Sequence, residues 1–188
     1  MTGSSENQTL TFLKRRFREA GIRPHTKFGQ NFLIDLNLQR VLLDAAKLEP
    51  DDVVLEVGTG TGSLTVLMAA TAAAVVTVEI DRQLSQLAGE ELLGLDNVTM
   101  LLVDALKNKN CLNPVVLDAV AEKLDAAPGR RLKLVSNLPY NVATPIISNL
   151  MALDHPPHSM LVTIQKELAD RIVASPGNKD YAALSIWL

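Results

Sequence analysis

One cysteine, three histidines and no long apolar run are the first constraints set by this sequence of 188 residues. With Cys111 alone, neither a disulfide framework nor a thiolate metal cluster can form, which suits a reducing cytoplasm. His25, His155 and His158 have no ligand spacing, so no metal is expected. Nowhere do roughly 18 uninterrupted apolar residues occur, the length a membrane span needs. Residues 1–10 are polar and lack the apolar core of an export signal. A soluble, monomeric, cytoplasmic protein is the expectation.

Excess positive charge is lacking too, since the formal net charge is −3. A nucleic-acid partner usually requires clustered Lys and Arg, so distribution matters more than the sum. Between Thr11 and Gln30, six cations (Lys14, Arg15, Arg16, Arg18, Arg23 and Lys27) face the single acid Glu19. That local excess of +5 leaves −8 for the remainder. A solvated helix face would account for the charge equally well.

What the chain does have is apolar content, 47% of residues, enough for one buried core. Leu10, Leu13 and Phe17 suggest a short amphipathic helix ending near Gly21, so residues 1–24 read as a basic helical arm and 25–188 as the core. Asp35 can cap a helix whose apolar side carries Leu38, Val41, Leu42 and Ala45. Short apolar runs then alternate with helical stretches. Strands are expected at Val53–Val57, Val75–Ile80, Val98–Val103, Leu132–Ser136 and Met160–Gln165. Helices are expected at Ser63–Thr71, Arg82–Leu93, Val115–Ala126 and Thr144–Leu153. Strands this apolar, separated by helices, predict an α/β fold with a doubly wound, mostly parallel sheet covered on both faces. The apolar run Tyr181–Leu188 closes without a polar stretch and reads as an element cut short.

Three successive expected strands end in acid-bearing turns. The first runs into Glu56-Val57-Gly58-Thr59-Gly60-Thr61-Gly62, where glycines let a ligand approach the backbone closely. Dinucleotide enzymes use G-x-G-x-x-G. The spacing here, G-x-G-x-G after an acid, resembles the class I S-adenosylmethionine-dependent methyltransferases, with Glu56, Gly58, Gly60 and Gly62 as cofactor-site candidates. Other cofactors, NAD among them, stay open at this point. Glu79, ending the second strand, can accept both ribose hydroxyls, and Asp104, ending the third, can meet an adenine amino group.

The fourth strand ends in Asn137-Leu138-Pro139-Tyr140, which resembles the signature of amino-methyltransferases. An exocyclic adenine amine is a poor nucleophile because its lone pair is delocalised into the ring. The Asn137 side-chain oxygen and the Leu138 carbonyl can each accept one amino hydrogen and draw the nitrogen toward tetrahedral geometry. Pro139 fixes the turn, Tyr140 offers a face for the base, and Asn137 also borders the cofactor.

From about His25 to Leu188 the sequence thus resembles the ribosomal RNA adenine N6-dimethyltransferases. The resemblance includes Lys27-Phe28-Gly29-Gln30-Asn31-Phe32-Leu33, Gln165-Lys166-Glu167 and Tyr181-x-x-Leu184-Ser185. It implies S-adenosylmethionine as cofactor, Asn31 and Leu33 as further cofactor contacts, and dimethylation of two adjacent adenosines near the 3′ end of small-subunit RNA. The expected partner is then ribosomal RNA or a small-subunit precursor. It also implies a loop with Phe and prolines, two more strands and a helical domain beyond Leu188. Rival readings are the large-subunit methyltransferases of macrolide resistance, which usually carry isoleucine at the position of Leu138, and a non-catalytic ribosome assembly factor that kept the fold.

Overall fold

Parallel strands buried on both faces need continuous apolar sequence, and the computed structural model, which describes residues 35–187, uses the expected runs in that way. The basic arm over residues 1–24, with Asn31 and Leu33, lies outside the described residues. The elements are α1 (Leu36–Ala46), β1 (Asp52–Val57), α2 (Ser63–Ala69), β2 (Ala74–Glu79), α3 (Arg82–Glu91) and β3 (Val98–Leu102). There follow β4 (Leu106–Asn108), β5 (Cys111–Leu112), α4 (Pro114–Asp125), β6 (Arg131–Asn137), α5 (Ala143–Met151), β7 (Ser159–Thr163), α6 (Lys166–Ile172) and α7 (Ala183–Trp187). The main sheet is parallel throughout, in the order β3-β2-β1-β6-β7. The chain winds outward from β1 to β3, then crosses over to β6 and β7. The reversal lies between β1 and β6, where open α/β sheets bind ligands at the strands' carboxyl ends.

Alternation along the strands distributes the core. Val54, Val75 and Val135 face α1 and α2, packing with Leu42, Ala46, Leu64 and Met68. Leu55, Val76, Val78 and Leu134 face α4 and α5, packing with Val116, Val120, Ile146 and Leu150. By the same alternation Glu56 and Thr77 point toward α2, and the parallel register sets them side by side.

Two features depart from the sequence reading. The inward face of α1 is Gln39, Leu42, Leu43 and Ala46, whereas Leu38, Val41 and Ala45 are exposed. Asp35 does cap this helix, accepting from the Asn37 N–H at 2.8 Å. Its rotation is fixed at the other end. There the buried Lys133 ammonium of β6 donates to the Ala46 and Lys47 carbonyls at 3.2 and 2.7 Å and pairs with buried Asp52 at 2.8 Å. A long-range polar anchor therefore outweighs local apolar periodicity. The second departure is the β4–β5 hairpin, in a stretch where no element was expected. It is short and polar, and its Asn110 N–H is held by the Asn108 side chain at 2.9 Å.

Candidate active site

The glycine turn leaves β1 with Gly58, Gly60 and Gly62 all at positive φ (92°, 59° and 81°), a region that costs glycine least. The Gly58 and Thr59 N–H groups both donate to the Val78 carbonyl of β2, at 2.8 and 3.3 Å. A Cβ at Gly58 would lie 3.3 Å from the Pro139 ring, so the turn after β1 and the Asn137–Tyr140 segment after β6 are in direct contact. One at Gly62 would meet Ala88 of α3 at 3.4 Å.

Glu79 is 5% exposed, and its carboxylate ties that turn to the end of β2. Oε2 accepts from Gly60 N–H at 2.9 Å, while Oε1 accepts from the Ile80 and Asp81 N–H groups at 3.0 and 2.9 Å. Burial raises its pKa, and these three backbone donors oppose the rise. The neighbouring Asp81 instead caps α3 through the Gln83 and Leu84 N–H groups. Asp104 follows β3 and is exposed. Its Oδ1 accepts from Leu106 N–H at 2.9 Å, and Asn113 holds its carbonyl from the start of α4, also at 2.9 Å.

These pieces border a cleft that is open to solvent. Its walls are Val57 and Gly58, Val78 to Ile80, Val103 to Ala105, and Pro139, Asn141 and Val142. The structure thus brings Gly58, Glu79, Asp104 and Pro139 together around one cavity. Ile80, Asn141 and Val142 were not anticipated, although each adjoins a motif that was.

Glu56 does not reach the cleft. It is 1% exposed and sits beneath the glycine turn, where its Oε2 accepts from the Thr65 and Thr77 hydroxyls, each at 2.6 Å. The Thr77 hydroxyl has one proton, so Thr59, 2.7 Å away, donates to Thr77 in turn. Burial pushes the Glu56 pKa up to about 7; the two hydroxyls lower it, and the charge of Glu79 raises it. Glu56 is a strut joining β1, β2 and α2, and Gly60 and Gly62 likewise shape the turn without forming the cleft wall.

At the end of β6, Ser136 clasps β1. Its hydroxyl donates to the Val57 carbonyl at 2.7 Å and accepts from the Val57 N–H at 3.3 Å. Leu138 is buried to 1% and anchors the turn, leaving Asn137 and Tyr140 half-buried on either side. The Thr163 hydroxyl of β7, in register with Asn137, donates to Asn137 Oδ1 and fixes the direction of that amide. Neither Thr163 nor Ser136 carried a sequence signal, because their partners lie 26 and 79 residues away.

Comparison with known proteins agrees with this geometry. The ribosomal RNA adenine dimethylase family matches residues 21–188. The chain is 43% identical over 166 residues to the ribosomal RNA small subunit methyltransferase A of Pediococcus pentosaceus, covering 88% of this chain and 53% of the relative. It is 41% identical over 172 residues to that of Moorella thermoacetica, covering 90% and 57%. The chain spans about half the length of the curated relatives it matches. Among solved structures it is similar to a dimethyladenosine transferase from Plasmodium falciparum, with TM-score 0.65 and 27% identity over 81% of this chain and 50% of that one. It is also similar to the 23S rRNA methyltransferase ErmE, with TM-score 0.58 and 27% identity over 75% and 50%.

Proposed function

The chain belongs to the ribosomal RNA adenine dimethylase family, and from that premise we propose that it is the catalytic part of an S-adenosylmethionine-dependent enzyme that dimethylates adenosine N6 in small-subunit ribosomal RNA. The observation that carries the reading is the convergence of Gly58, Glu79, Asp104 and Pro139 on one cleft at the β1/β6 reversal. An apolar cleft with a carboxylate at the ends of β2 and β3 fits an adenosine moiety, and the absence of a Cβ at Gly58 leaves room for it beside Pro139. When bound, S-adenosylmethionine supplies an electrophilic methyl group. Glu79 holds the ribose hydroxyls, Asp104 meets the adenine amine, and Asn31 and Leu33 complete the cofactor contacts.

Asn137 Oδ1 and the Leu138 carbonyl accept the two hydrogens of the target amine, and Tyr140 stacks on the base once it has left its helix. That amine becomes acidic only on methylation, so positioning and electrostatics dominate and no strong base is required. Two adjacent adenosines near the 3′ end are the target. The small subunit is favoured over the large by Leu138 and by relatives named as small subunit methyltransferases at 41–43% identity. Among the described residues no helix is long and apolar enough to cross a membrane. Ribosomal RNA as substrate places the work in the cytoplasm.

The test is calorimetric titration with S-adenosylmethionine and, separately, NAD. The first should bind and the second should not. Losing charge-assisted hydrogen bonds of about 1.5–3 kcal/mol should weaken binding by roughly ten- to a hundredfold in Glu79→Ala, and Asp104→Ala should weaken it as well. Asn137→Ala should abolish RNA methylation while cofactor binding persists. Binding of NAD in place of S-adenosylmethionine would refute the cofactor, and undiminished turnover by Asn137→Ala would refute the mechanism.

A further inference from the structure

The stretch between β3 and α4 carries charge that the cleft does not use. Lys107, Asn108, Lys109 and Asn110 are all exposed on the β4–β5 hairpin. Short polar hairpins are marginal by themselves, yet this one is pinned at both ends. At its root Asp104 Oδ1 accepts from Leu106 N–H, Asn113 N–H donates to the Ala105 carbonyl at 2.9 Å, and Ala105 and Leu112 are buried in the core. At its tip the Asn149 side chain of α5 donates to the Lys109 carbonyl at 3.1 Å. Among the described residues neither lysine forms an ion pair, whereas Lys123, Lys133 and Lys166 each face a carboxylate.

Location gives the pair its meaning. Asp104 and Ala105 form one wall of the cleft and run directly into β4, so the hairpin rises from the cleft rim at the carboxyl edge of the sheet. With a net charge of −3, the chain can attract a polyanion only where its cations cluster. Fixed cations beside the cleft are then what can set the register of a phosphate backbone. We propose that the β4–β5 hairpin is a phosphate clamp, with Lys107 and Lys109 engaging backbone phosphates of the RNA strand that carries the target adenosine. The inference rests on the reading of the cleft as an RNA methyltransferase site.

The test is fluorescence anisotropy of a labelled RNA hairpin with two adjacent adenosines in its loop, titrated with the whole chain at 50–200 mM salt. Each neutralised single-strand phosphate contributes about 0.7 to the slope of log affinity against log salt. Removing two should flatten that slope by about 1.4, so Lys107→Ala/Lys109→Ala should bind more weakly at low salt and lose roughly sevenfold less affinity across this fourfold range. Lys107→Gln/Lys109→Gln, which keeps side-chain length, should behave alike. Lys123→Ala, on α4, should keep the wild-type slope. Unchanged S-adenosylmethionine binding by calorimetry shows that the variants are folded. Parallel salt lines for wild type and both double variants would overturn the clamp alone. A wild-type chain that binds S-adenosylmethionine but no RNA would overturn the RNA-substrate reading and the clamp with it.

Discussion

Replacing Glu56 by Gln removes one titrating group from beneath the glycine turn while leaving an oxygen for the Thr65 and Thr77 hydroxyls. The folded-state pKa of Glu56 is about 7 against an ordinary 4.5, with burial as the main cause. A raised acid pKa means that the folded state holds the proton more tightly, so stability falls as pH rises through that interval. The gap of about 2.5 units, at 1.36 kcal/mol each, corresponds to about 3 kcal/mol lost between pH 4.5 and somewhat above 7. Glu79 is raised as well and adds a slope of the same sign, but it does so in both proteins. The new amide hydrogens of Gln bring a desolvation cost of about 1–3 kcal/mol that does not vary with pH. Slope, not level, is therefore diagnostic. Urea unfolding followed by circular dichroism at pH 5, 6, 7 and 8, at constant ionic strength, should show the Glu56→Gln variant gaining about 2.5 kcal/mol relative to wild type across the series. Parallel stability profiles would refute the strut as an ionising group.

Three other perturbations probe the frame. Gly58→Ala forces a side chain to φ 92° and against the Pro139 ring, and should lower stability by about 1–3 kcal/mol in thermal unfolding and reduce S-adenosylmethionine affinity. Gly129→Ala, at φ 83° with open space around it, should carry the backbone strain without the loss of affinity. Lys133→Met strands Asp52 in the core and removes the donor to two α1 carbonyls. Urea titration should show a loss of about 3–5 kcal/mol, partly recovered when Asp52→Asn is added. Thr163→Val releases the Asn137 amide and should reduce kcat for RNA methylation by on the order of ten- to a hundredfold with S-adenosylmethionine affinity unchanged, whereas Thr163→Ser should retain activity.

The strands were legible because burial on both faces demands continuous apolar runs, and each lies within two residues of its expected bounds at either end. Local chemistry was legible for the same reason of proximity: Asp35 caps the helix it precedes, and the glycine turn and Asn137–Tyr140 carry their meaning in spacing. What escaped depends on partners distant in sequence. The rotation of α1 is decided by Lys133, some 86 residues away. The burial of Glu56 follows from its register with Thr77, known only once β1 is seen to pair with β2. The hairpin at 106–112 is too short and polar to show a period.

Glu56 and Glu79 were both expected at the cofactor site, and the structure sets them in different surroundings. Glu56 points toward α2 and accepts from the Thr65 and Thr77 hydroxyls, so it stabilises the turn from below. Glu79 ends its strand one residue before the chain turns, so its carboxylate meets three backbone N–H groups and still borders the cleft. Through the Gly60 N–H, the carboxylate that borders the cleft also holds the glycine turn. A ligand hydroxyl that donates to Glu79 offsets part of the burial that raises its pKa, and cofactor binding should therefore strengthen the same contacts that keep the glycine turn in place.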